Sequence, residues 1–85
     1  MFRIFIEKKA KKELERLDEK TRRRVLDALI VLRDEGFSRR IDIRKLKGTK
    51  NHYRLRVGSL RILFEPVDDK ILVYAILPRR KAYKK

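Results

Sequence analysis

The stretch YRLRVGSLRILFE, residues 53–65, constrains the fold more than any other part of the chain. Apolar and charged side chains alternate with a period of two on both sides of Gly58-Ser59, the pattern of half-buried strands. A two-residue loop with glycine at its first central position suits a type II′ hairpin turn. Closing the hairpin there sets Val57 opposite Leu60, Arg56 opposite Arg61, Leu55 opposite Ile62 and Arg54 opposite Leu63. Because a strand alternates its faces, Leu55, Val57, Leu60 and Ile62 then point to one side, and Arg54, Arg56 and Arg61 to the other.

The rest of the second half extends this pattern. KILVYAIL, at 70–77, is a nearly continuous apolar run, and Pro66 to Asp69 reads as the turn before it. IRKLKG, at 43–48, alternates weakly and stops at a glycine. Short connections make sequential strands antiparallel neighbours, so residues 43–77 form a meander. Upstream, FRIFI at 2–6 reads as a first strand. From Glu7 the period changes: Ala10, Leu14 and Leu17 recur at helical spacing, with Glu7 and Lys11 a favourable pair four residues apart. Asp18 fits an N-cap, Val25, Ala28, Leu29 and Leu32 fall on one face, and Gly36 fits a C-cap. The expected fold is α+β: an antiparallel meander with an N-terminal strand and two antiparallel helices packed on one face. Residues 1–85 read as one domain with a basic tail at 78–85.

Charge narrows the function. The chain carries 26 basic and 12 acidic residues, a net of +14. Through Gly36 there are eleven basic and eight acidic residues, a net of +3; beyond it there are fifteen and four, a net of +11. The excess therefore belongs to the β half. A field of that sign concentrates polyanions such as nucleic acid, the ribosome or an acidic protein. The KKAKK and RRR runs of the helices lie opposite the apolar stripe among acids, as a solvated face does. With no cysteine and one histidine, the chain offers no disulfide framework and no conventional metal site, and no cofactor is expected. The apolar run of MFRIFIEKKAKK is too short for a signal peptide, and no apolar stretch could span a membrane, so cytoplasmic residence is expected. Asn51 is the only asparagine and glutamine is absent, a bias of proteins that work at high temperature.

Like charges directly opposed across a strand pair destabilise it, with pair terms of roughly 0.2–1 kcal/mol. Stability alone would favour glutamate or threonine at one of the three arginine positions. Arginine also presents a planar fork of donors suited to phosphate and stays charged. The cluster therefore reads as a pre-formed anion site, against the plainer alternative of an exposed face on a basic protein. The tail adds Arg79, Arg80, Lys81 and Tyr83 just past the last strand, a combination suited to holding phosphates and stacking on a base. A solvated basic terminus is the simpler alternative for those four. For Lys45 and Lys47, contact with phosphate and plain exposure are equally good readings.

The order of elements together with KLKG at 45–48, YRLRVGSLRILFE at 53–65 and PRRKAY at 78–83 resembles the RelE toxins of the RelE/ParE superfamily, especially archaeal members. The resemblance covers nearly the whole chain. It implies a compact, microbial-RNase-like ribonuclease that enters the ribosomal A site and cleaves mRNA without a metal. In that chemistry the 2′-hydroxyl attacks the adjacent phosphate, leaving a 2′,3′-cyclic phosphate and a 5′-hydroxyl. It also implies a RelB-type antitoxin that wraps and silences the toxin, and operator DNA bound only through that complex. By position, Arg54 and Arg56 match the two basic residues before the turn, Arg61 the arginine after it, and Arg79 and Tyr83 the tail pair. Arg54 and Arg61 would stabilise charge on the phosphorane-like transition state; Arg79 would serve the leaving group, and Tyr83 would stack on or orient the nucleotide.

Bacterial relatives carry lysine where this chain has Arg54 and Arg56, and the second lysine is a proposed general base. Arginine holds its proton, so Arg56 is a poor base. His52 shares the strand parity of Arg54 and Arg56, and imidazole ordinarily changes charge in the neutral range. The family pattern does not require a histidine there, so His52 reads as a strand-edge residue. Two other classes compete with the ribonuclease: a non-enzymatic superfamily member that inhibits gyrase, and a basic ribosome- or nucleic-acid-binding protein.

Overall fold

The structure, a computed structural model, describes residues 1–78. Seven elements follow in chain order: β1 (Arg3–Ile6), α1 (Lys8–Glu15), α2 (Glu19–Glu35), β2 (Asp42–Lys45), β3 (Tyr53–Val57), β4 (Leu60–Val67) and β5 (Lys70–Pro78). The strands form one sheet in the order β1-β5-β4-β3-β2. β2 to β5 are an antiparallel meander, while β1 joins the far edge parallel to β5, Ile4 beside Ile71 and Ile6 beside Val73. The α+β architecture agrees with the sequence reading; the parallel edge is a long-range pairing that no local pattern announces.

The helices bury Ala10, Leu14, Val25, Leu29 and Leu32 against Leu55, Leu60, Ile62, Phe64, Ile71, Val73 and Ile76 of the sheet. Phe64, Leu32, Leu55, Ile62, Ile71, Val25 and Val73 are the largest fully buried side chains. Removing a side chain of that size from water contributes about 1.5–3 kcal/mol. This core sits on one face of the sheet, so the opposite face is left for other uses.

The element ends have identifiable causes. α2 stops at Gly36, whose positive φ of 72° a side chain tolerates poorly and whose N–H donates to the Leu32 carbonyl. A Cβ there would also lie 3.3 Å from the Phe2 ring, so the glycine lets the N-terminal segment close against the helix end. Beyond Val73, β5 has lost β1 as a neighbour. The Ile76 N–H donates instead to the Glu13 carboxylate of α1 at 2.8 Å, which covers that exposed edge.

Two boundaries differ from expectation. β2 ends at Lys45, and Lys47-Gly48 belong to a turn. Pro66 lies inside β4, where only Asp68-Asp69 make the turn. Proline is tolerated there because β3 stops pairing with β4 at Phe64, so no ladder bond is lost on that side.

Candidate functional site

The hairpin register matches the sequence reading pair for pair: Val57 with Leu60, Arg56 with Arg61, Leu55 with Ile62, Arg54 with Leu63. Gly58 takes a φ of 59° and Ser59 has no positive φ, the combination of a type II′ turn. On the helix side, Tyr53 stacks on Phe64 with ring centroids 5.8 Å apart, and Phe37 meets Tyr53 edge-on at 4.8 Å. These aromatic contacts fix the base of β3 and hence the positions of the arginines further along it.

The face away from the helices carries the charge. Arg44, Arg54, Arg56 and Arg61, with Gly58, Ser59 and Leu60, line a groove of about 250 Å³. Two arginine pairs meet in register: Arg44 opposite Arg54 across β2 and β3, and Arg56 opposite Arg61 across β3 and β4. Side chains directly opposed in an antiparallel pair have Cβ atoms about 4.5–5.5 Å apart, so four guanidinium groups crowd one patch. Asp42 moderates the field at its rim, 3.9 Å from Arg44 and opposite Arg56 in the ladder. Arg54 and Arg56 have no ion-pair partner among the described residues. The Nε of Arg54 is buried and without a hydrogen-bond partner among the described residues. A buried donor left unsatisfied is costly. A Cβ built on Gly58 would lie 3.5 Å from the Arg24 guanidinium, so α2 brings a further cation against the turn.

Of the residues expected at the site, the structure brings together Arg54, Arg56 and Arg61. Lys45 pairs with Tyr53 and so lies on the parity of the helix-covered face, and Lys47 sits in the turn after β2; neither lines the groove. Arg44 takes the place they were expected to fill. Its parity becomes visible only once β2 is registered on β3, which its weak alternation does not specify. Arg79, Arg80, Lys81 and Tyr83 lie outside the described residues. The last described residue, Pro78, pairs with Leu60 at the groove's rim.

A second cluster on the same face was not anticipated. His52 Nδ1 and the Tyr74 hydroxyl are hydrogen-bonded at 2.9 Å, and His52 Nε2 lies 4.0 Å from a Glu65 carboxylate oxygen. Burial, followed by the charges of Glu65 and Glu7, raises the pKa of Tyr74, so its hydroxyl stays protonated. The contact depends on an irregularity. The β4–β5 register shifts between Leu63 and Phe64, so Leu63 pairs with Ala75 and Phe64 with Val73, leaving Tyr74 as the extra residue. The bulge sends Val73 and Ile76 both to the core and frees Tyr74 to meet His52. Among the described residues no three His, Cys, Asp or Glu side chains are grouped as for a metal ion, and no helix is long and apolar enough to cross a membrane.

This arrangement of elements has known counterparts. The family model of the ParE toxin of type II toxin–antitoxin systems matches residues 4–83. Toxin RelE3 of Methanocaldococcus jannaschii is 43% identical over 44 residues, 52% of this chain and 50% of that protein, so the chain aligns with about half the length of this relative. The archaeal RelE-RelB complex from Pyrococcus horikoshii contains a chain 30% identical, with a TM-score of 0.80 over 92% of this chain and 94% of that one. The RelB-RelE antitoxin–toxin complex from Methanococcus jannaschii gives 29% identity and a TM-score of 0.81 over 93% and 94%. With a family model spanning nearly its whole length and this likeness to archaeal RelE, the chain belongs to the ParE toxin family of type II toxin–antitoxin systems and is a toxin of the RelE type.

Proposed function

We propose that the protein is a ribosome-dependent mRNA endoribonuclease that arrests translation, held inactive by a RelB-type antitoxin. The observation that carries this reading is the pair of opposed arginine pairs around one groove, with an Arg54 Nε that is buried and unsatisfied among the described residues. That arrangement opposes folding and suits a doubly charged phosphorane. When the 2′-oxygen bonds to phosphorus, negative charge grows on the non-bridging oxygens. Arg54 and Arg61 donate to those oxygens, and Arg56 and Arg44 neutralise the approaching backbone. Losing one such donor costs about 10²–10³ in rate. The resemblance to RelE assigns the leaving group to Arg79 and nucleotide stacking to Tyr83, and gives Lys45, Lys47, Arg80 and Lys81 a part in holding RNA.

Both archaeal structures are complexes of RelE with RelB, which supports a RelB-type partner here and an acidic antitoxin surface to meet the net charge of +14. Operator DNA is then reached through that complex, and the site of action is the cytoplasm, where ribosomes are. The test uses purified protein at elevated temperature with mRNA on programmed ribosomes, free mRNA, and supercoiling by gyrase. Cleavage on programmed ribosomes alone, lost in Arg61→Ala without unfolding and lost on adding antitoxin, is expected. Uncut message with wild-type protein, or inhibited supercoiling with translation intact, overturns the reading and favours the gyrase-directed branch.

A further inference from the structure

The arginine groove can stabilise a transition state, but among the described residues every ionisable side chain lining it is an arginine, and none gives up a proton readily. Transesterification needs a group to take the 2′-hydroxyl proton. The only histidine in the chain is on the same face of the sheet, two residues before Arg54. Residues so spaced on one strand face are about 7 Å apart, within one nucleotide's reach of a phosphate held by Arg54.

The geometry points to His52 as the general base of this reaction, with Tyr74 and Glu65 as positioning residues; the inference rests on the ribonuclease reading above. A base held by a third group is the recurring pattern of such sites. Here Tyr74, 2.9 Å from Nδ1 with the two rings edge-to-face at 77°, fixes the imidazole plane. The His52 backbone is also tied down: the Leu46 N–H donates to its carbonyl at 2.8 Å, and its own N–H reaches the Thr49 hydroxyl. When Nδ1 carries the ring proton and donates it to the Tyr74 oxygen, Nε2 keeps its lone pair beside Glu65, too far at 4.0 Å for a hydrogen bond, on a side chain 37% exposed.

The step balances without a co-reactant. Nε2 takes the 2′-hydroxyl proton as the 2′-oxygen–phosphorus bond forms and the phosphorus–5′-oxygen bond breaks. The leaving 5′-oxygen takes a proton from solvent water, the imidazolium returns its proton to solvent at the end of the turnover, and the products are a 2′,3′-cyclic phosphate and a 5′-hydroxyl. Until then the imidazolium rests against the Glu65 carboxylate. The groups that face His52 are Glu65 from β4, Tyr74 from β5, Arg54 from β3 and Arg44 beyond it on β2, with Glu7 acting on Tyr74.

The test is the pH dependence of single-turnover cleavage on programmed ribosomes for wild type, His52→Gln and Tyr74→Phe. The expected result for His52→Gln is a rate about 10²–10⁴-fold lower, the usual contribution of general base catalysis, with the single-proton acid limb of the profile gone. Tyr74→Phe, which loosens the ring but keeps it, is expected to fall less and to retain the limb. A His52→Gln protein that cuts at the wild-type rate with the wild-type profile overturns the inference while leaving the ribonuclease reading intact. Wild-type protein that cuts no message overturns both. Because the histidine is unique, a long-range proton–nitrogen NMR spectrum of the wild type gives a second readout independent of variant folding: a protonated Nδ1 is expected, and a protonated Nε2 overturns the inference.

Discussion

Replacing Arg54 by methionine separates what the arginine patch does for stability from what it does for function. Arg54 stands opposite Arg44 on β2 and beside Leu63 on β4, and its Nε is buried without a partner among the described residues. Leaving a buried donor unsatisfied costs about 1–3 kcal/mol. The opposed arginine pair adds roughly 0.2–1 kcal/mol of repulsion. Methionine keeps the aliphatic stem that packs beside Leu63 and removes both penalties. Since Arg54 as a whole is half-buried, the lower part of the range applies, a gain of about 1–2 kcal/mol. Each kcal/mol raises the Tm of a domain this size by about 4–8 °C. Urea and thermal unfolding should therefore show Arg54→Met as the more stable protein with an unchanged m-value, while ribosome-dependent cleavage falls at least about 10²-fold. Added salt should narrow the stability gap, because it screens the repulsion in the wild type. A destabilised or neutral Arg54→Met refutes the reasoning, since the guanidinium would then be satisfied in the free protein and the patch would not be strained for function.

Other perturbations test the scaffold. Gly58→Ala should cost about 1–2 kcal/mol by urea unfolding, because φ is 59° there; the Arg24 guanidinium at 3.5 Å is an ordinary contact and adds little. Phe64→Ala removes a fully buried ring and should cost about 3–5 kcal/mol, enough to bring a small domain near its unfolding threshold at 37 °C. The raised pKa of Tyr74 means the native state holds that proton more tightly than the unfolded chain. Its contribution is therefore complete below pH 10 and lost as pH rises from 10 through the native value. Wild type should lose stability over that window, and Tyr74→Phe should lose less, by denaturant midpoints measured at each pH.

The hairpin was legible because its signals are local. A glycine at a position requiring positive φ and a period of two on each side fixed the register of four residue pairs, and with it the convergence of Arg54, Arg56 and Arg61. Gly36 was legible for the same reason. What escaped depends on pairings distant in sequence. The placement of β1 beside β5 joins residues about seventy apart, and nothing in FRIFI specifies which strand it will meet. Arg44 belongs to the groove because β2 registers Ile43 on Leu55, a choice that its alternation of one apolar residue in four leaves open; the same register sends Lys45 to the other face. The bulge at Leu63–Phe64 hides in the run LVYAIL, where every second residue looks equally buried, so Tyr74 gave no sign that it would meet His52. Proline at 66 reads as turn chemistry, a rule that holds for central strands and fails where one side of a strand is unpaired.

On the proposed function, the arginine groove stabilises a phosphorane formed by the message's own 2′-hydroxyl. This is tested most directly with programmed ribosomes carrying an A-site codon that is either all-ribose or has a single 2′-deoxy substitution at the cut position. Single-turnover cleavage of the ribose message, ending in a 2′,3′-cyclic phosphate and a 5′-hydroxyl, is expected, with no cleavage of the deoxy message although the protein still binds. Equal cleavage of both messages, or a 5′-phosphate product, would contradict this.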